Sequence, residues 1–153
     1  MVIKFHFNSS VTLNNRNKLK LFISKIFKWE KTNATSLDIV FCDDEFLIDI
    51  NRKFLNHDYY TDIISFNLND DFFPVVGEIY ISIDRVNANA LTYNCSLTSE
   101  LHRVIFHGVL HFCGFNDTTS GEKILMKAKE DLYLHKYFVS RGTKNAVPRE
   151  TNR

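Results

Sequence analysis

The sequence predicts one α+β domain on a mixed sheet of about four strands. A length of 153 residues fits one domain of the usual ~100–200. With 5 glycines, 2 prolines and 44% apolar residues, the chain has the makeup of a packed core and not of a linker or repeat. Its patterned segments run in the order β-α-β-α-β-β-α-α-α, and each has a local cause.

From Val2 to Phe7, Ile3, Phe5 and Phe7 alternate with Lys4 and His6, as in a half-buried strand. Asn14 to Glu30 places Leu19, Phe22, Ile23 and Ile26 on one helical stripe with lysines between them. Residues 37–42 read as a second strand. Asp43 or Asp44 can cap the next helix, where Leu47, Ile50 and Phe54 share a face. The polar loop 56–60 leads into a β-branched strand, Thr61 to Phe66. A loop containing Asp70, Asp71 and Pro74 follows, then a fourth alternating strand from Gly77 to Ile83. Asp84 is the expected cap of a helix to about Tyr93, and Thr98 of a helix to Cys113. Gly114 stands where helices end, and a last helix runs from about Ser120 to Phe138. Residues 1–139 make the expected domain. The tail 140–153, with Gly142, Pro148 and scattered charge, is expected to be disordered.

Composition excludes several classes. No apolar run approaches the ~18 residues of a membrane span, and the start has no uninterrupted apolar stretch of the secretory kind. Cys42, Cys95 and Cys113 are odd in number and widely spaced, which fits a reducing compartment, so a cytoplasmic location is expected. The net charge of +1 conceals an asymmetry. Residues 1–29 hold six bases and no acid, whereas residues 32–71 hold nine acids against Arg52 and Lys53. Such a basic segment can meet a polyanion such as RNA, although a solvated helix face is the plainer reading.

The stretch His107-Gly-Val-Leu-His111-Phe-Cys-Gly114-Phe-Asn-Asp117 carries the chemistry. Histidines four apart on a helix lie one turn above each other, so both rings can reach one metal ion. Gly114 lets the chain reverse, and Asp117 then comes back as a third ligand. Three protein ligands with one open position are the arrangement of a catalytic zinc, which lowers the pKa of its water to about 7. A bare H-x3-H pair proves little in a chain with six histidines. With the glycine and the final acid at their spacings, chance gives the pattern in about one chain in a thousand.

The spacing is that of the metzincin metalloproteases, whose general-base glutamate follows the first histidine. Here that position is Gly108. A peptidase would lack the group that activates water and protonates a leaving amine, whereas a phosphodiester needs less help of that kind. A metallopeptidase is therefore the second reading, and a module in which the metal is only structural is the third. A closed structural site needs four ligands, and Cys113, the nearest thiol, is turned away from the ligand stripe.

The same residues resemble the YbeY endoribonucleases. Their signature H-G-x-L-H-x-x-G-[YF]-x-[HD] is matched by His107 to Asp117. A second element, T-D-[VI]-[LI]-[ST]-F followed by G-[DE]-I-x-I-S, is matched by Thr61 to Phe66 and Gly77 to Ser82. The resemblance implies one zinc per chain on a central helix, held by His107, His111 and Asp117. It also implies a single-strand-selective endoribonuclease of ribosomal RNA maturation, including the 3′ end of the small-subunit RNA, working with the ribosome or small-subunit assembly factors. Two departures stand out. The third ligand is most often His, whereas Asp117 offers harder oxygen. Many members carry an arginine six residues before the T-D pair, where this chain has Leu55.

Other residues have two readings each. Glu100, two turns before His107, can orient a ligand histidine or act as a base, or can simply favour the helix dipole. Arg85 and Arg103 are the candidates to replace the missing arginine, against a plain reading as surface charge. Thr61 and Ser65 can line a groove or serve only the strand. Tyr59 and Tyr60 are the loop aromatics to test for base stacking. His57, in the polar loop, can touch RNA or be simply solvated; His6, His102 and His135 are read as structural, and Cys113 as a core cysteine. The general base is left unassigned.

Overall fold

The structure is a computed structural model that describes residues 1–140. It contains β1 (Val2–Phe7), α1 (Arg16–Trp29), β2 (Ala34–Cys42), α2 (Asp44–Leu55), β3 (Ile63–Asn67), β4 (Val75–Ser82), α3 (Ile83–Thr92), α4 (Leu97–Phe112) and α5 (Ser120–Ser140). The four strands form one mixed sheet in the order β1-β2-β4-β3. β1, β2 and β4 are parallel, and β3 runs antiparallel at the edge beside β4. The predicted α+β class and strand number hold. The tail expected to be disordered lies outside the described residues, apart from Ser140 at the end of α5.

Strand alternation sorts the side chains into two layers. Leu37, Ile39 and Phe41 of β2 and Ile79 and Ile81 of β4 face a core shared with Leu19, Ile23 and Ile26 of α1 and Val104, Ile105 and Val109 of α4. On the opposite face, Cys42, Ile64 and Leu47 bind α2 to β3 and β4. Helix α4 is buried from Ser99 to Leu110 on every side, because it lies between the sheet and α5. Each fully buried Val, Ile or Leu there contributes about 1.5–3 kcal/mol.

Element ends differ from the sequence reading where partners set them. β2 begins at Ala34, because Ala34 pairs with Val75 across an irregularity in register. β3 begins at Ile63, although the Asp62 carbonyl just before it still accepts from the Ser82 N–H at 2.9 Å. Helix α3 is capped by Ser82, whose Oγ accepts from the Arg85 N–H, and not by Asp84. Asp84 instead accepts from the Asp44 N–H at 2.8 Å, at the start of α2. Ser96, and not Thr98, caps α4 through the Ser99 N–H. At α5, Thr119 and Glu122 exchange hydrogen bonds at 2.9 and 3.2 Å, a capping box.

Candidate metal centre

The final turn of α4 shows how the three predicted ligands meet. Gly114 adopts φ +92, a conformation that side chains resist. The Phe115 N–H then bonds to the Leu110 carbonyl at 3.1 Å and the Gly114 N–H to that of His111 at 3.1 Å. This is the paired closure of a Schellman motif, with Phe115 packed on the core as its apolar clamp. The chain doubles back and carries Asp117 to the histidine face.

His107 Nε2 lies 3.0 Å from His111 Nε2 and 3.2 Å from Asp117 Oδ2, and His111 Nε2 lies 3.7 Å from that same oxygen. These atoms form a group able to hold a metal ion. Tetrahedral bonds of about 2.0–2.2 Å put neighbouring donors about 3.3–3.6 Å apart, and the observed edges of 3.0, 3.2 and 3.7 Å fall on either side of that spacing. His107 is buried, whereas His111 and Asp117 are half-buried and leave one side open. Burial, and then the facing His107 ring, hold the His111 imidazole below the ordinary histidine range, which favours the neutral form that a metal requires.

Behind His107 stands a residue the sequence reading missed. Glu130 of α5 places Oε2 2.6 Å from His107 Nδ1, and its Oε1 accepts from Arg103 Nη1 at 2.9 Å. The carboxylate at His107 Nδ1 is thus Glu130; Glu100 is also fully buried in the first turn of α4. An acid on the stripe of Met126, Tyr133, Leu134 and Tyr137 was the available signal.

The two candidate arginines are both occupied. Arg103 is 1% exposed, so the surface reading fails for it. Arg85 is half open to solvent, but its guanidinium clasps Asp44 at 3.0–3.1 Å, and Asp44 also receives the Ser82 hydroxyl. Leu55 ends α2, 40% exposed. In the second element, β3 and β4 pair Phe66 with Glu78 and Ile64 with Tyr80, while Asp62 and Ser82 hold neighbouring helices. Ser65 lies on the α4 side of the edge strand, half-buried, and Thr61 bonds locally to the Ile63 carbonyl.

The remaining candidates lie elsewhere. Tyr59 and Tyr60 are half exposed, the first bonded to His57 and the second to Glu45. His6 pairs with Asp38 at 2.8 Å on the outer sheet face, His102 is buried against the Thr98 carbonyl, and His135 is exposed on α5. Cys113 packs beside the core, and burial pushes its thiol up to about 11.

Position 108 distinguishes the two hydrolase readings. A Cβ built on Gly108 would stand 2.7 Å from Ile63 Cδ1 and 2.9 Å from Ile79 Cδ1. A glutamate there would enter the sheet and not the metal site, so the metallopeptidase reading is not favoured. An α+β sheet backed by a buried helix with this open His-His-Asp triangle defines a metal-hydrolase scaffold without the peptidase base.

Comparison with known proteins gives the family. The model of the family described as Endoribonuclease YbeY matches residues 5–138. Endoribonuclease YbeY of Cytophaga hutchinsonii is 43% identical over 130 residues, covering 85% of this chain and 91% of that protein. The Flavobacterium psychrophilum protein of the same name is 36% identical over 143 residues, covering 92% and 100%. The solution structure of TM1509 from Thermotoga maritima shares the fold, with a TM-score of 0.61 at 21% identity over 93% of this chain and 92% of that one. The chain belongs to the YbeY endoribonuclease family, and the expected class of RNA-cleaving hydrolase stands.

Proposed function

We propose that this chain is a zinc-dependent endoribonuclease that cuts single-stranded ribosomal RNA during small-subunit maturation, including at the 3′ end. Its place of action is the cytoplasm, in company with the ribosome or its assembly factors. No helix among the described residues is long and apolar enough to cross a membrane. The convergence of His107, His111 and Asp117 carries the reading, supported by family membership.

His107 Nε2, His111 Nε2 and one carboxylate oxygen of Asp117 would hold the ion, one per chain. Two imidazoles and one carboxylate suit zinc better than magnesium or calcium, which prefer all-oxygen shells. When bound, the cation supplies Lewis acidity to a phosphoryl oxygen and acidifies the water it orients. The protein's own groups do the rest. The half-buried His111 and Asp117 leave an opening for a phosphodiester, while Gly108 provides no side chain to protonate a leaving amine.

The test is cleavage of a labelled single-stranded RNA by wild-type protein and by His111→Ala from identical preparations. Wild type is expected to cut and to bind one zinc; the variant is expected to do neither while keeping its fold. Full zinc retention by the variant would overturn the ligand assignment. Equal cleavage by both would move the activity away from this centre.

A further inference from the structure

We propose that the buried pair Arg103–Glu130 is a positioning device that fixes the tautomer and ring direction of His107, aiming the Nε2 lone pair at the metal position. The inference rests on the metal reading above and deepens it.

Arg103 and His107 stand four apart on α4, one turn from each other on a single face. Helix α5 answers both with one carboxylate: Glu130 Oε1 takes Arg103 Nη1 at 2.9 Å, and Oε2 meets His107 Nδ1 at 2.6 Å. Arg103 Nη2 also donates to Asp131 at 2.6 Å, so two neighbouring acids stop the guanidinium from turning. Arg103 and Glu130 are 1% and 3% exposed. A buried ion pair is often no more stabilising than apolar residues of equal volume, so packing alone gives weak reason for charges here.

The donor inventory dictates the rest. A guanidinium only donates, and it supplies the permanent cation that a buried carboxylate needs. The second oxygen of that carboxylate has no proton to give, so the hydrogen of the 2.6 Å contact resides on His107 Nδ1. In a neutral imidazole this leaves Nε2 as a bare acceptor, the very atom that faces Asp117 and His111. Without the carboxylate the ring can take its other tautomer or rotate, and either loses the aimed lone pair.

Ring-nitrogen NMR of the metal-free wild-type protein, at a pH where the His107 ring is neutral, tests this directly. Protonated Nδ1 and unprotonated Nε2 on His107 are expected; the opposite tautomer would overturn the proposal, whatever any variant does. In Glu130→Gln, Arg103 claims the amide oxygen, and the amide NH₂ is turned toward Nδ1. The ring should change tautomer, and zinc affinity in competition with a chromophoric chelator should fall about 10–100-fold. A double variant, Arg103→Met with Glu130→Met, removes both charges together, preserves burial, and should show the same loss of affinity. Folded variants, checked by circular dichroism, that bind zinc within twofold of wild type would overturn the proposal. Failure of the wild-type protein itself to bind zinc would sink the metal reading, and the tautomer measurement would still decide the positioning role.

Discussion

Position 108 shows one missing side chain deciding both packing and chemistry. The gap between α4 and the sheet is so narrow that a Cβ meets Ile63 and Ile79 at 2.7 and 2.9 Å. Alanine favours a helix over glycine by about 1 kcal/mol, but forced packing costs about 1–3 kcal/mol. Because Ile79 is fully buried, the strain should win. Gly108→Ala is expected to lower stability by about 1 kcal/mol in urea denaturation, and a more stable variant would contradict the spacing. At position 117, Asp117→Ala should weaken zinc binding at least about tenfold, while Asp117→His, with another nitrogen donor, should retain it. Equal affinity of Asp117→Ala and wild type would remove Asp117 from the shell. The Cys113 thiol, raised to about 11 by burial, gives a pH expectation of definite sign. A folded pKa above the unfolded value means the contribution to stability is full below about pH 9 and is lost as pH climbs toward 11. Native Cys113 should therefore resist iodoacetamide at pH 8 and react once urea unfolds the chain; fast native labelling would contradict its burial. The ligands were legible because they sit on one turn of helix and the reversal after it. Glu130 was not, because its partner Arg103 lies 27 residues away, and local spacing carries no record of that meeting.

Helix ends, more than helix bodies, fix the geometry of the centre. Apolar stripes made α1 and α2 readable, expected caps pointed to α3 and α4, and Gly114 correctly marked the end of α4. The caps Asp84 and Thr98 were misplaced for a common reason. Each has a serine two residues earlier, and the chain folds into the helix at the first hydroxyl that can accept from the N–H three residues on. Strand ends were misplaced too, because β2 and β4 lengthen each other through Ala34 and Val75, a pairing that no single segment encodes. At the α4 terminus the decisive variable is backbone conformation, since a Cβ at Gly114 would touch nothing within 4 Å. Gly114→Ala is thus expected to cost about 1 kcal/mol from the positive φ alone. The same strain loosens the Schellman closure that returns Asp117, so zinc affinity should fall with stability. Gly114→Asn, better suited to positive φ, should restore part of both. Unchanged affinity in Gly114→Ala would separate the turn from the centre.

Across the whole molecule, the centre ties the last third of the chain together. Helix α4 contributes His107 and His111, the following turn contributes Asp117, and α5 buttresses His107 through Glu130. None of these segments carries the site alone, and α4 is held in register by the sheet through Ile63 and Ile79. A cation that binds only this assembled arrangement must stabilise the folded state by mass action. At free zinc a hundredfold above its dissociation constant the gain is about 2.7 kcal/mol, which for a domain of this size raises the melting temperature by roughly 5–10 °C. Wild-type protein is expected to show this rise in thermal denaturation and to lose it on adding a chelator. His111→Ala should melt at one temperature in either condition, because a ligand set cut to two no longer couples α4 to the turn. A rise of equal size in His111→Ala would place the ion elsewhere. No rise in wild type would mean that these three side chains converge for reasons other than zinc. The basic residues of α1 offer a contrast. Lys18, Lys25 and Lys28 lie exposed on the solvent side of a helix whose other face is core. Their charge can attract RNA at long range, so neutralising them should weaken RNA binding in a salt-dependent way and leave the zinc-induced rise intact.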